Sequence, residues 1–370
     1  MPDFFCPLPW IHQFAQSTGI KCCCANTVEL PVDSASFASS QFIKDLRNEI
    51  LNGNVPESCR ECVRQEKAGF VSTRTTALKE WAYTKDNIPT ELKYLDLRTN
   101  NTCNFKCRSC MPLYSTQIQK ELSQNIELSR YFKNVGESVK HSFDLSNIEV
   151  LNLTGGEPLI IKEHISILEE LIKLGKQATK ILITTNGSTL NPRLLNLLSQ
   201  FTDIHYTISL DSIGTAAEYI RDGTKWAQVD NNVRQFCGTN SSILINCTVS
   251  TYSILTIGNL VEYFVQLKKD FPTTPLEIMF SVVQTPSYLV PQALPSHLLP
   301  VALTSLDKSI ELLTPIKTNP IEHLNTLTQL QNSVRSSSLH AQKTFVEFTK
   351  TLDRIRGQNF STTFGVPLTK

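Results

Sequence analysis

The sequence predicts an α/β fold, a partial barrel of six βα units. A short cysteine-rich segment precedes it and a helical segment follows. Three observations carry this reading. Six β-rich segments alternate with helix-period segments between about residues 90 and 290, the pattern of parallel strands joined by crossover helices. Nine of the eleven cysteines fall in tight groups ahead of that alternation or at its front edge. Pro291, Pro295 and Pro300 then punctuate the entry to a helical tail. The implied divisions are 1–89, 90–290 and 291–370. An open doubly wound sheet would leave the same alternation.

The elements follow in order. Before residue 90 one helix is expected, carrying Phe42, Ile43, Leu46 and Ile50. LKYLDLR (92–98), EVLNLT (149–154), KILITT (180–185), DIHYTISL (203–210), ILINCTVS (243–250) and LEIMFSVV (276–283) each read as a buried strand. Between them lie helices such as 161–174, where Ile165, Leu168, Leu171 and Ile172 recur at helical spacing. In the tail, Phe345, Phe348, Leu352 and Ile355 line one helix face and Gly357 is a natural C-cap. SVRSSSL (333–339) reads as a connector.

Composition excludes several function classes. A chain of 370 residues, 41% hydrophobic and 19% charged, is globular and long enough for two domains. Its core can form without disulfides. A net charge of +1, with Lys and Arg dispersed, gives no footprint for nucleic acid. No apolar run reaches the ~18–20 residues of a membrane span, and MPDFFCPLPW lacks the parts of a signal peptide. A soluble cytoplasmic protein is expected. In that reducing setting, clustered thiols read as metal ligands. Cys237 and Cys247, alone in apolar surroundings, read as small buried hydrophobes.

The strongest chemical signal follows the first strand. TNNTCNFKCRSCMP sets Cys103, Cys107 and Cys110 in a CxxxCxxC array. Loops at the C-terminal ends of barrel strands carry reaction centres. Three thiolates leave one coordination position open, as a reactive metal site requires. A zinc site completed by a distant residue is the alternative. The second strand runs straight into Gly155, Gly156, Glu157 and Pro158. Glycines let backbone approach a ligand closely, and Pro158 holds Glu157 extended.

With both motifs in this order, residues 90–290 or so resemble the radical S-adenosylmethionine (SAM) enzymes. TTNGS (184–188), SLDS (209–212) and YIRDG (219–223) are similar to patterns of the subgroup bearing SPASM or twitch extensions. The resemblance implies that Cys103, Cys107 and Cys110 bind a 4Fe–4S cluster whose fourth iron chelates SAM. It implies that the GGEP backbone holds the SAM amino group, that Ser209 and Arg221 hold its carboxylate, and that Asn186 and Thr248 lie near ribose or adenine. A guanidinium also suits a carboxylate on its own chemistry. On residues alone, Ser209 and Asn186 read equally as a strand-end cap or a turn. The implied reaction is reductive SAM cleavage to a 5′-deoxyadenosyl radical that takes a substrate hydrogen. An external one-electron reductant such as flavodoxin or ferredoxin would drive it.

FCPLPWIH (5–12), Gly19, the Cys22–Cys24 triplet and ESCRECVRQE (57–66) resemble an N-terminal twitch-type module. That resemblance implies an auxiliary 4Fe–4S cluster on Cys6, Cys23, Cys59 and Cys62, with Cys24 a close rival to Cys23. An extended triplet would turn Cys22 and Cys24 to one side and Cys23 to the other. A structural zinc is the alternative. Trp10 is expected to shield the site and His12 to pack beside it, with His205 in the core. His141, His164, His297, His323 and His340 are expected at the surface. The segment LDRIRGQNF (352–360) is similar to C-terminal segments of twitch-bearing proteins and is expected to pack against the barrel.

The twitch resemblance implies a peptide or protein substrate that is oxidised, crosslinked or epimerised. No recognisable leader-peptide-binding domain accompanies it. The alternatives are a small-molecule dehydrogenase or epimerase, acting on a sugar, aminocyclitol or nucleotide, and a non-enzymatic metal-binding protein.

Overall fold

The computed structural model describes residues 4–67, 71–132, 139–316, 321–336 and 338–370. Among these the strands are β1 (His12–Gln16), β2 (Gly19–Lys21), β3 (Tyr94–Arg98), β4 (Lys106–Cys107), β5 (Val150–Leu153), β6 (Lys180–Thr185), β7 (Asp203–Ser209), β8 (Arg221–Asp222), β9 (Ser242–Val249) and β10 (Leu276–Val282). The six expected strands are β3, β5, β6, β7, β9 and β10, and the fold class is α/β with a mostly parallel sheet, as expected. Two compact units divide the chain. One comprises Met1–Thr102, Asn134–Ile183 and Pro192–Ile204; the other comprises Cys103–Lys133, Thr184–Asn191 and His205–Lys370.

In the first unit, β1 pairs parallel with β3, β3 with β5, and β5 with β6. Along β6, Ile181, Ile183 and Thr185 are buried and their neighbours half-buried, the period-two signature of a strand with two unlike faces. The helix Lys162–Lys173 buries His164, Leu168 and Leu171. The N-terminal region holds more structure than the single expected helix. Besides Gln41–Leu51 it forms helices at Ser34–Ser39, Arg60–Lys67 and Thr73–Glu80, and the hairpin β1–β2. The sequence HQFAQ has no strand-like alternation because all five of its residues are buried.

In the second unit, β9 lies between β7 and β10, both parallel to it. Residues alternate along β9 from Ile243 to Val249, buried then half-buried. The helix Leu339–Arg356 ends at Gly357, whose φ of 63° supplies the left-handed cap. Phe345, Phe348 and Leu352 on that helix are fully buried, worth about 1.5–3 kcal/mol each. The expected connector 333–339 separates two helices, Ile321–Ser333 and Leu339–Arg356, with Ser337 outside the described residues. Among the described residues no helix is long and apolar enough to cross a membrane.

Candidate metal centres and their surroundings

The CxxxCxxC loop lies in the second unit. Its middle cysteine is in β4, which pairs antiparallel with β8 so that Cys107 stands opposite Arg221 and Lys106 opposite Asp222. The Arg221 Nη1 approaches the Cys107 Sγ at 3.8 Å. The other edge of that guanidinium faces Asp211: Nη2 donates to Oδ1 at 2.9 Å, and Nε is 2.9 Å from Oδ2. Asp211 Oδ1 also accepts the backbone N–H of Thr248 at 2.8 Å. One buried carboxylate therefore ties the end of β7, the end of β9 and the arginine of β8 together. Sequence reading passed over Asp211, although it sits inside the SLDS segment.

The three thiols share one electrostatic neighbourhood. Burial pushes the Cys110 thiol up to about 12, and the nearby Cys107 and Cys103 add to the effect. Burial also raises Cys107, against the pull of the Arg221 guanidinium. Such thiols hold their protons until a metal displaces them, so the donor set fits a metal group carrying positive charge. Gly223 (φ +107°) lets β8 pass close behind the loop, since a Cβ there would stand 2.9 Å from the Asn104 carbonyl oxygen.

The remaining expected SAM contacts of this unit differ in what already occupies them. Asn186 is buried; its Nδ2 donates to Asn104 Oδ1 at 2.9 Å, and its Oδ1 accepts the Ser188 N–H at 2.9 Å. That is the turn geometry the residue type permits. Ser209 ends β7 opposite Asn246, and Thr248 is half-buried near the end of β9.

The GGEP segment belongs to the first unit. Gly156 donates to the Asn100 carbonyl at 3.1 Å and Glu157 to the Thr102 carbonyl at 2.8 Å. A Cβ on Gly156 would stand 2.1 Å from the Thr102 oxygen, so only glycine fits. Glu157 is extended, at φ −121° and ψ 108°, as the following proline requires. The Pro158 carbonyl accepts a hydrogen bond from His164 Nδ1 at 3.0 Å. His164 is thus not at the surface, as expected above, but buried against this loop, and burial lowers its pKa to about 4. It occupies the core side of the helix Lys162–Lys173 four residues before Leu168, a position that hydropathy alone assigns to solvent.

The N-terminal thiols gather in the same unit. Cys6, Cys22, Cys23, Cys59 and Cys62 line a cavity of about 20 Å³. The triplet is not extended. The chain turns at residues 22–26, with the Asn26 N–H on the Cys23 carbonyl at 3.2 Å, so Cys22 and Cys23 face the same cavity and Cys24 is left outside it. The Cys22 thiol hydrogen-bonds Cys23, which raises Cys22 and lowers Cys23. Burial lifts Cys59 to about 11, while Asn26 Nδ2 reaches its sulfur at 3.7 Å. Among the described residues no group of three or more His, Cys, Asp or Glu side chains is placed to hold a metal ion.

His12 packs beside this cavity, as expected, with its ring 4.2 Å from that of Tyr94. Trp10 is buried nearby, 6.2 Å from the ring of Phe5. Cys237 and Cys247 are buried, and His205 is half-buried.

Fold and site together define an α/β protein with a three-thiol loop at the start of its parallel strands and a second thiol cluster before them. Residues 97–260 match the model of the Radical SAM superfamily, and the chain carries a domain of that superfamily. It is similar to GTP 3′,8-cyclase of Mannheimia succiniciproducens, 35% identical over 28% of this chain and 28% of that one. It is 30% identical to GTP 3′,8-cyclase of Clostridium acetobutylicum over 51% of this chain and 55% of that one. It is 28% identical to molybdenum cofactor biosynthesis protein 1 of Dictyostelium discoideum, over 42% and 24%. The chain thus spans between about a quarter and just over half of these relatives' lengths. Among solved structures, SuiB of Streptococcus suis aligns at a TM-score of 0.35 and 14% identity, over 77% of this chain and 63% of that one.

Proposed function

We propose that this protein is a cytoplasmic radical SAM enzyme acting on a small molecule, with residues 90–290 as its barrel, 1–89 as a twitch-like auxiliary module and 291–370 as a helical extension. The single observation that carries the reading is the CxxxCxxC loop with Arg221 set opposite its middle cysteine. A 4Fe–4S cluster bound there would supply one-electron reduction of SAM and so the radical chemistry for hydrogen abstraction. Cys103, Cys107 and Cys110 hold that cluster. The GGEP carbonyls receive the SAM amino group. Arg221, clamped along one edge by Asp211, presents its Nη1 edge, on the side of Cys107, to the carboxylate together with Ser209. Asn186 and Thr248 stand toward ribose or adenine. The closed thiol set of Cys6, Cys23, Cys59 and Cys62 holds a second 4Fe–4S cluster, and Cys22 donates its S–H to the Cys23 thiolate.

The small-molecule reading is supported by relatives whose name specifies GTP. No observation favours a peptide, the other reading of the twitch resemblance. Reducing equivalents come from a flavodoxin- or ferredoxin-like donor. Anaerobic reconstitution tests the whole: about eight irons and eight sulfides are expected, with SAM converted to 5′-deoxyadenosine and methionine under reduction. Protein that takes up only zinc, or cluster-replete protein that makes no deoxyadenosine, overturns it.

A further inference from the structure

The first unit holds a second, larger cavity of about 370 Å³, whose lining includes His12, Cys24, Glu80, Trp81, Asp96 and Lys180. That is the size of a small-molecule site. Tyr94 and Asp96 of β3 and Lys180 and Leu182 of β6 supply one wall. These are alternate residues, so they share the sheet face opposite the one that buries Leu95, Ile181 and Ile183.

Two observations point to a ligand there. His12 is only 5% exposed, and its Nδ1 donates to the Cys22 carbonyl at 3.0 Å. That bond fixes the tautomer, so Nε2 keeps its lone pair, and Nε2 has no hydrogen-bond partner among the described residues. A buried acceptor left without a donor is costly. The second observation is charge. Asp96, 5% exposed, accepts from Thr154 Oγ1 at 3.2 Å and stands 3.8 Å from the Arg98 Nε. With Glu80 it gives the lining two carboxylates against one cation, Lys180. The side of Trp81 and the apolar Leu8, Val150 and Leu182 complete a partly greasy wall.

We infer that this cavity takes a small-molecule ligand, uncharged or cationic and bearing N–H donors, of the amine or amide class. A polyphosphate nucleotide is disfavoured. Such a ligand needs several Arg or Lys side chains, and this lining meets it with two carboxylates instead.

Cys24 makes the charge preference measurable without knowing the ligand. Its thiol is exposed and opens onto this cavity, 3.8 Å from Thr73 Oγ1. Cluster-loaded protein is equilibrated separately with cystamine, 2-hydroxyethyl disulfide and 3,3′-dithiodipropionate, each against its own thiol. The Cys24 thiolate attacks one sulfur, a mixed disulfide forms, and the second half leaves as a thiolate, so no other oxidant is needed. Peptide mass spectrometry reads the adduct at Cys24.

The cationic aminoethyl adduct should exceed the anionic carboxyethyl adduct by about tenfold, equivalent to about 1.4 kcal/mol. Glu80→Gln and Asp96→Asn should each shrink that ratio, and GTP should not protect Cys24 from iodoacetamide. An anionic adduct equal to or above the cationic one, or GTP protection that disappears in Lys180→Ala, overturns the inference. None of these readouts depends on SAM cleavage, so failure here and failure of the deoxyadenosine assay are separate results.

Discussion

Arg108, between Cys107 and Cys110, is joined to Asp353 on the last long helix by an Nη2–Oδ1 bond of 2.5 Å. The Arg108 side chain is fully buried, lies 3.7 Å over the Tyr219 ring, and also donates to Gln358 Oε1 at 2.7 Å. Nearby, Arg356 Nη1 donates to the Lys106 carbonyl at 2.8 Å. The segment LDRIRGQNF therefore grips the cysteine loop itself, from residues 245 and 250 positions away in sequence.

This pairing predicts a large stability effect. Arg108→Met leaves Asp353 facing aromatic rings without its cation, and loss of one partner of a buried pair costs about 3–5 kcal/mol. The double variant Arg108→Met with Asp353→Leu should lose much less than the sum of the single changes. Urea unfolding of the three variants measures it, and strict additivity would dissolve the coupling.

Arg221 and Asp211 predict a graded effect on SAM. Arg221→Ala should weaken SAM binding by about 1.5–3 kcal/mol, the range of a charge-assisted hydrogen bond. Asp211→Asn keeps the cation but loses the clamp and should cost less. Equilibrium dialysis on cluster-loaded protein separates them; unchanged affinity in Arg221→Ala removes that residue from the site.

His12 and His164 predict acid sensitivity. Burial lowers each from 6.5 to about 4. The unfolded chain thus binds protons between these values that the folded chain refuses. The stabilising effect of keeping them neutral is complete above pH 6.5 and is lost as pH falls toward 4, at about 1.4 kcal/mol per pH unit for each histidine. His164→Asn, which can still donate to Pro158, should remove roughly half of that slope from a pH series of urea midpoints. An unchanged slope would mean that His164 is not held neutral.

The N-terminal thiols predict a division of labour. Cys59→Ala with Cys62→Ala should lower bound iron by about half while SAM cleavage continues, because no thiol of the CxxxCxxC loop is touched. Iron analysis beside deoxyadenosine chromatography checks both halves. Loss of cleavage in soluble double variant would tie the two thiol sets together.

Much of this was legible in the residues. KILITT and ILINCTVS alternate apolar and polar side chains, and β6 and β9 lie where that pattern puts them. The thiols of CxxxCxxC announce themselves by spacing. What escaped depends on partners distant in the chain. β1 is polar in composition and becomes a strand because β3 runs beside it in register. His164 reads as a solvent residue until the Pro158 carbonyl fills its Nδ1. The side of the triplet that faces the cavity was set by a turn at Asn26, not by strand alternation. Arg108 carries no signal in hydropathy or spacing, since its partners arrive with the last helix.

The in-register pairing of His12–Gln16 with Tyr94–Arg98 bears on how the protein can be dissected. A thiol module hung on a linker could be trimmed away for separate study. Here trimming strips a neighbour from a parallel ladder and leaves the N–H and C=O groups of Tyr94–Arg98 facing outward, an edge prone to pair with other chains. Shortened versions should therefore cluster into aggregates instead of behaving as an independent barrel.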